Sequence, residues 1–191
     1  MQLRREEDRA ACELLSAQPH WLDLPEAPHR GYESAAMLFD ELLDTDDVRG
    51  ELLKRVTELI QTIRPHVILS PVGIGNHVDH QQLVKVVAEL KPRNPEITFF
   101  RWYDEPYLTR HPATWPADLA WQPALSWKKL QQQLARSELA VNVNIETAID
   151  RKLAACTAYT TQLGFQFGGM QQLKAVFTKS GRYAFSELLR M

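Results

Sequence analysis

Four consecutive β-favouring residues, Val67, Ile68, Leu69 and Ser70, lie between two helical patterns, and no other stretch constrains the fold as tightly. Before the run, Leu52, Leu53, Val56, Leu59, Ile60 and Ile63 recur every three or four residues between Asp47 and Arg64, and Pro65 stops that helix. After it comes the turn-rich PVGIGNHVDH, then a helix predicted from about Asp79 to Leu90 and closed by Lys91 and Pro92. A short apolar run flanked in this way is the kind a parallel sheet buries on both faces. ITFF, residues 97 to 100, restarts a strand, and WYDEPY follows its carboxyl end. The alternation predicts an α/β fold with an open, mostly parallel sheet, whose ligands sit beyond the carboxyl ends of the strands.

Elsewhere the pattern predicts a helix from Met1 to about Ser16, a short strand at HWLDLP (residues 20 to 25) and a loop around PHRGY. Pro112, Pro116 and Pro123 mark a surface loop, with a helix expected over 125 to 134 and a strand over 139 to 145. A longer helix follows from Thr147 to about Leu163, GFQFGG breaks it, and one more helix starts near Gln171. At 191 residues and 45% apolar content, the chain is expected to form a single domain, 1–191. Lys and Arg number 22 against 24 Asp and Glu, a formal charge of -2 with no long run of one sign, which argues against nucleic acid as a partner. Cys12 and Cys156 are the two cysteines, too few for a disulfide scaffold or a four-cysteine zinc site. No stretch approaches the roughly 20 apolar residues of a membrane span, and the first residues lack a signal-peptide core. A soluble, cytoplasmic protein is the expectation.

Two polar groups follow predicted strand ends: His77, Asp79 and His80 after the first, and Tyr103, Asp104 and Glu105 after the second. At a helix start, histidines three residues apart can share a side, one binding a metal and the other steadying charge on a polarised carbonyl. Asp79 can hold an imidazole in one tautomer, or it can simply cap the helix. The bland alternatives are a capping pair without metal for His77 and His80, and ordinary loop packing for Tyr103 and Glu105. Gly73 and Gly75 permit a tight turn and close approach to a ligand. A catalytic zinc takes three protein ligands plus water, and this cluster offers His80 and at most His77 beside it.

PVGIGNHVDHQ, with WYDEPY and the later RKLAACTAYTTQ, resembles the LmbE-like or PIG-L-like zinc-dependent N-deacetylases. RREEDRAACELL and HWLDLP resemble the helix and strand that precede the motif in that family. The resemblance implies a Rossmann-like, three-layer α/β/α fold and hydrolysis of the amide of N-acetylated sugar conjugates. It implies zinc or another divalent metal, with His80 as a ligand, His77 stabilising the tetrahedral intermediate or assisting proton transfer, and Asp79 orienting it. Tyr103 and Glu105 would face the substrate, a small N-acetylated glycoside. The family's opening strand, which ends in His-Pro-Asp-Asp and carries two further ligands and the general base, has no counterpart in this sequence. The sheet is therefore expected to lack its first strand, leaving an edge that a second copy of the chain could cover. A noncatalytic sugar-binding or structural α/β module and a hydrolase of another bond are the alternatives.

Overall fold

The computed structural model of the chain describes residues 2–73, 75–102, 140–144, 148–179 and 186–190. In chain order its helices are α1 (Gln2–Leu15), α2 (Val48–Ile63), α3 (Val78–Leu90), α4 (Ile149–Ala158), α5 (Thr160–Phe167) and α6 (Met170–Lys179). The strands are β1 (Val67–Pro71), β2 (Thr98–Trp102), β3 (Ala140–Asn144) and β4 (Ser186–Arg190). The expected α/β architecture with an open sheet is present: β1 and β2 run parallel from Val67↔Thr98 to Pro71↔Trp102, joined through α3. β4 joins β2 antiparallel at Arg101↔Arg190 and Trp102↔Leu189, giving the order β1-β2-β4-β3. The chain divides into two compact units, one of residues 1–21 and 142–187 and one of residues 22–141 and 188–191.

In the larger unit, the apolar stripe of α2 and the buried face of α3 close over the parallel pair. Ile60, Val86, Val87, Leu90, Ile97 and Phe99 form the buried core, with Leu52, Leu53, Val56, Ile68 and Leu83 packed against it. Burying side chains of this size contributes roughly 1.5–3 kcal/mol each, which holds the β1–α3–β2 crossover together under α2. Helix α2 ends where the sequence places its end: Arg64 turns left-handed (φ 52°) and donates its N–H to the Ile60 carbonyl at 2.8 Å, ahead of Pro65.

In the smaller unit, α1 packs on α4 with Ala11 and Ala155 buried. Glu7 of α1 is buried too, at 5% exposure, because it is fully engaged. It accepts from the Thr161 N–H at 2.7 Å and from the hydroxyls of Thr161 (2.7 Å) and Thr160 (2.9 Å). A carboxylate at the first turn of α5 satisfies amide groups that the helix itself leaves open. These bonds hold the Glu7 carboxyl below its ordinary range.

Three expectations are corrected. HWLDLP is not a strand, because Asp23 is left-handed at φ 53° and no ladder passes through that conformation. The single helix expected over 147 to 163 is two, α4 and α5, parted at Tyr159 where ψ reaches 64°. Asp79 does not cap α3 either; that role falls to His77.

Candidate functional site

β1 runs into a turn that only a few residue types can make. Gly73 is at φ 89° and Gly75 at φ 82°, and Asn76 follows at φ 57°. At Gly73 a Cβ would also sit 3.1 Å from Val84 Cγ2, so this glycine supplies both the backbone angle and the space. Asn76 is fixed by its side-chain amide, which donates to the carbonyls of Phe39 and Asp40, both at 3.2 Å. Gln81 adds bonds to the carbonyls of Asp40 and Asn76, each at 2.8 Å. The start of α3 is thereby anchored to the 310 turn Met37–Phe39, and the Phe39 ring meets His77 edge-on at 5.4 Å.

His77 caps α3 through its ring: Nδ1 accepts the Asp79 backbone N–H at 3.2 Å. With that lone pair engaged, the neutral ring carries its proton on Nε2. The Asp79 carboxylate is close but not bonded to the ring, with Oδ2 3.9 Å from Nδ1. His80 lies one turn on, its ring centroid 5.5 Å from that of His77. Burial pulls both imidazoles below the ordinary range. For His77, Asp79 opposes and Arg30 reinforces the shift; His80 falls to about 4, helped by its neighbour His77. Both rings are therefore neutral near pH 7.

Behind this pair stands a polar network that the sequence did not announce. Asp46, whose side chain is fully buried, accepts from Arg30 Nε (3.0 Å), Tyr32 Oη (2.9 Å) and Gln82 Nε2 (3.1 Å). Burial alone would raise its carboxyl; the bonds from Gln82, Tyr32 and Arg30 outweigh burial and hold it low. Arg30, itself 8% exposed along its side chain, spends a second nitrogen on Asp79 Oδ1 at 2.6 Å and a third on the Pro25 carbonyl at 2.8 Å. The Tyr32 hydroxyl also accepts the Leu43 N–H at 3.2 Å. Around this network Tyr32, Ala27 and Val78 are buried with Met37, Leu38, Leu42 and Leu43 packed on them. A cavity of about 330 Å³ borders Arg30, Asp79 and Gln82, with apolar walls from Leu22, Leu24, Leu52 and Val56.

The structure thus brings together His77, Asp79 and His80 and adds Arg30, Asp46, Tyr32 and Gln82. Tyr103 and Glu105 lie outside the described residues. Among the described residues no group of three His, Cys, Asp or Glu side chains is arranged to hold a metal ion. His77, Asp79 and His80 therefore do not by themselves fit a zinc centre, which needs three ligands. No helix among the described residues is long and apolar enough to cross a membrane.

Comparison with known proteins bears on the fold and on the stretch that carries this site. A deacetylase of Streptomyces fradiae, 2'-N-acetylparomamine deacetylase, is 31% identical over 112 residues, 58% of this chain and 39% of that enzyme. The chain thus spans well under half the length of that relative. Among solved structures, the A40926 pseudoaglycone deacetylase superposes with a TM-score of 0.70 at 23% identity, over 99% of this chain and 69% of its own. The zinc-inhibited form of a teicoplanin deacetylase gives 0.71 at 16% identity, over 99% of this chain and 73% of its own. At these identities the superpositions establish the α/β fold. The family described as PIG-L, GlcNAc-PI de-N-acetylase, matches residues 1–91, so the stretch that holds α1, the Arg30–Asp46 network and the His77–His80 turn is similar to that deacetylase family.

Proposed function

We propose that the chain acts in the N-deacetylation of an N-acetylated sugar conjugate, with His77 facing the reacting carbonyl. One observation carries the reading: the Asp79 N–H occupies His77 Nδ1, so a neutral ring offers an Nε2–H donor. Such a donor is suited to a developing oxyanion, and after protonation the same ring can give up a proton to a leaving amine. Asp79 and Arg30 hold the ring's surroundings, and Tyr103 and Glu105 complete the reading as substrate-facing residues. His80 is offered as one ligand of a zinc or similar divalent centre. The described residues supply no three-ligand set, so no step is drawn through the metal. The substrate class follows the paromamine relative, whose name states an N-acetylated amino sugar.

The test is acetate release from N-acetylglucosamine conjugates and N-acetylated aminoglycosides by the full chain with zinc supplied, with metal content measured in parallel. Acetate release that falls about a hundredfold in His77→Ala supports the reading. Loss of bound metal in His80→Ala supports the ligand assignment. Sugar binding without acetate release would replace the reading with a binding module, and neither binding nor release would overturn it.

A further inference from the structure

We propose that Arg30 is a positioning residue for this site, which by holding the Asp79 carboxylate decides which nitrogen of His77 carries the proton. Asp79 has two suitors. Arg30 Nη2 stands 2.6 Å from Oδ1, while His77 Nδ1 stands 3.9 Å from Oδ2, about an ångström beyond hydrogen-bond distance. The carboxylate is half-exposed and sits on a short side chain, and among the described residues its bond to Arg30 is what keeps it from swinging to the ring. Arg30 cannot follow it, because Nε is fixed on buried Asp46 and Nη1 on the Pro25 carbonyl. Asp46 is held in turn by Tyr32 and Gln82. The planar guanidinium is thus a rigid bracket between one buried carboxylate and one half-exposed one, a geometry a lysine nitrogen cannot span.

Released from Arg30, Asp79 would accept a hydrogen bond from an Nδ1–H, which is charge-assisted and stronger than the bond from the Asp79 amide that it replaces. His77 would change from the Nε2–H to the Nδ1–H tautomer and lose the donor on its other nitrogen. The proposal deepens the deacetylase reading, since that reading needs the Nε2–H donor. Its test reads the ring directly and stands or falls without any turnover.

The experiment is nitrogen-15 NMR of histidine-labelled, metal-free full-length chain, above the ordinary imidazole range so that the rings are neutral. Ring nitrogen shifts and two-bond couplings distinguish the tautomers of His77, assigned by its loss in His77→Gln. Wild type is expected to be mainly Nε2–H. In Arg30→Lys, which keeps a positive charge on Asp46, the ratio is expected to invert, and in Arg30→Lys/Asp79→Ala it is expected to return. A loss of packing alone would not reverse on removal of Asp79. Arg30→Gln is a second variant with the same expectation. An unchanged ring in the variants that fold, or a wild-type ring already protonated on Nδ1, overturns the proposal. Absent deacetylation with the tautomer switch intact would defeat only the functional reading.

Discussion

At the scale of single residues, Asp46 holds the arrangement together. Its carboxylate collects Arg30, Tyr32 and Gln82 in a site closed to solvent, and the Val48 N–H lies 3.4 Å from the same group. Asp46→Asn removes one of the two carboxylates that pair with Arg30 among the described residues, and one of the amide's two ends must face a donor. A cost of about 3 kcal/mol is expected, as for other broken buried pairs, measurable by urea denaturation. Tyr32→Phe removes a single bond and is expected to cost about 1 kcal/mol. Equal losses in the two variants would mean that Arg30 and Asp46 are not a pair in solution. His77, Asp79 and His80 were legible in the sequence because they lie within four positions, next to a strand end. Arg30 and Asp79 are 49 residues apart and Arg30 and Asp46 16 apart, and no local spacing announces a contact made by the fold.

At the scale of elements, the turn between β1 and α3 is the most constrained segment described. A Cβ at Gly73 meets Val84 Cγ2 at 3.1 Å on a backbone at φ 89°, so Gly73→Ala is expected to cost about 2 kcal/mol. In a chain of this size that lowers the melting temperature by several degrees, on the order of 4–8 °C. Gly50, in the first turn of α2, has open space where its Cβ would be. Gly50→Ala is expected to be neutral or to stabilise by up to about 1 kcal/mol, and a thermal melt of both variants separates turn strain from a general intolerance of alanine. The helices and the parallel pair were readable because burial imposes a period on the sequence: Leu52 through Ile63 give α2, and Val67 to Ser70 give β1. Residues 20 to 25 looked like a strand on composition, and Asp23 breaks them by a backbone angle that composition does not encode. The break at Tyr159 was likewise hidden, since Glu7, more than 150 residues away, accepts the Thr161 amide and the Thr160 and Thr161 hydroxyls at the new helix start.

For the molecule as a whole, several groups whose pKa values are lowered in the folded state make stability depend on pH in two steps. His80 titrates near 4 when folded against an ordinary 6.5, so the unfolded chain binds the extra proton first and stability falls as pH drops. The His80 contribution is complete above about 6.5 and is lost progressively as pH falls to about 4, a loss of up to roughly 3 kcal/mol. His77, also lowered, acts in the same direction. A second decline begins below the ordinary carboxylate values, 3.8 for Asp46 and 4.5 for Glu7, because both are held lower when folded and lose their bonds on protonation. The two carboxylates belong to different compact units, so the acid step weakens each from within. Urea denaturation from pH 8 to 3 on metal-free protein should therefore show a plateau, a first slope and a second slope. His80→Ala should flatten the first slope without removing the second. Asp46→Asn should do the reverse, with a lower plateau. A single slope beginning only near pH 4 in the wild type would mean that His80 takes up its proton in the folded protein as readily as in the unfolded chain, and that its enclosure is not maintained in solution.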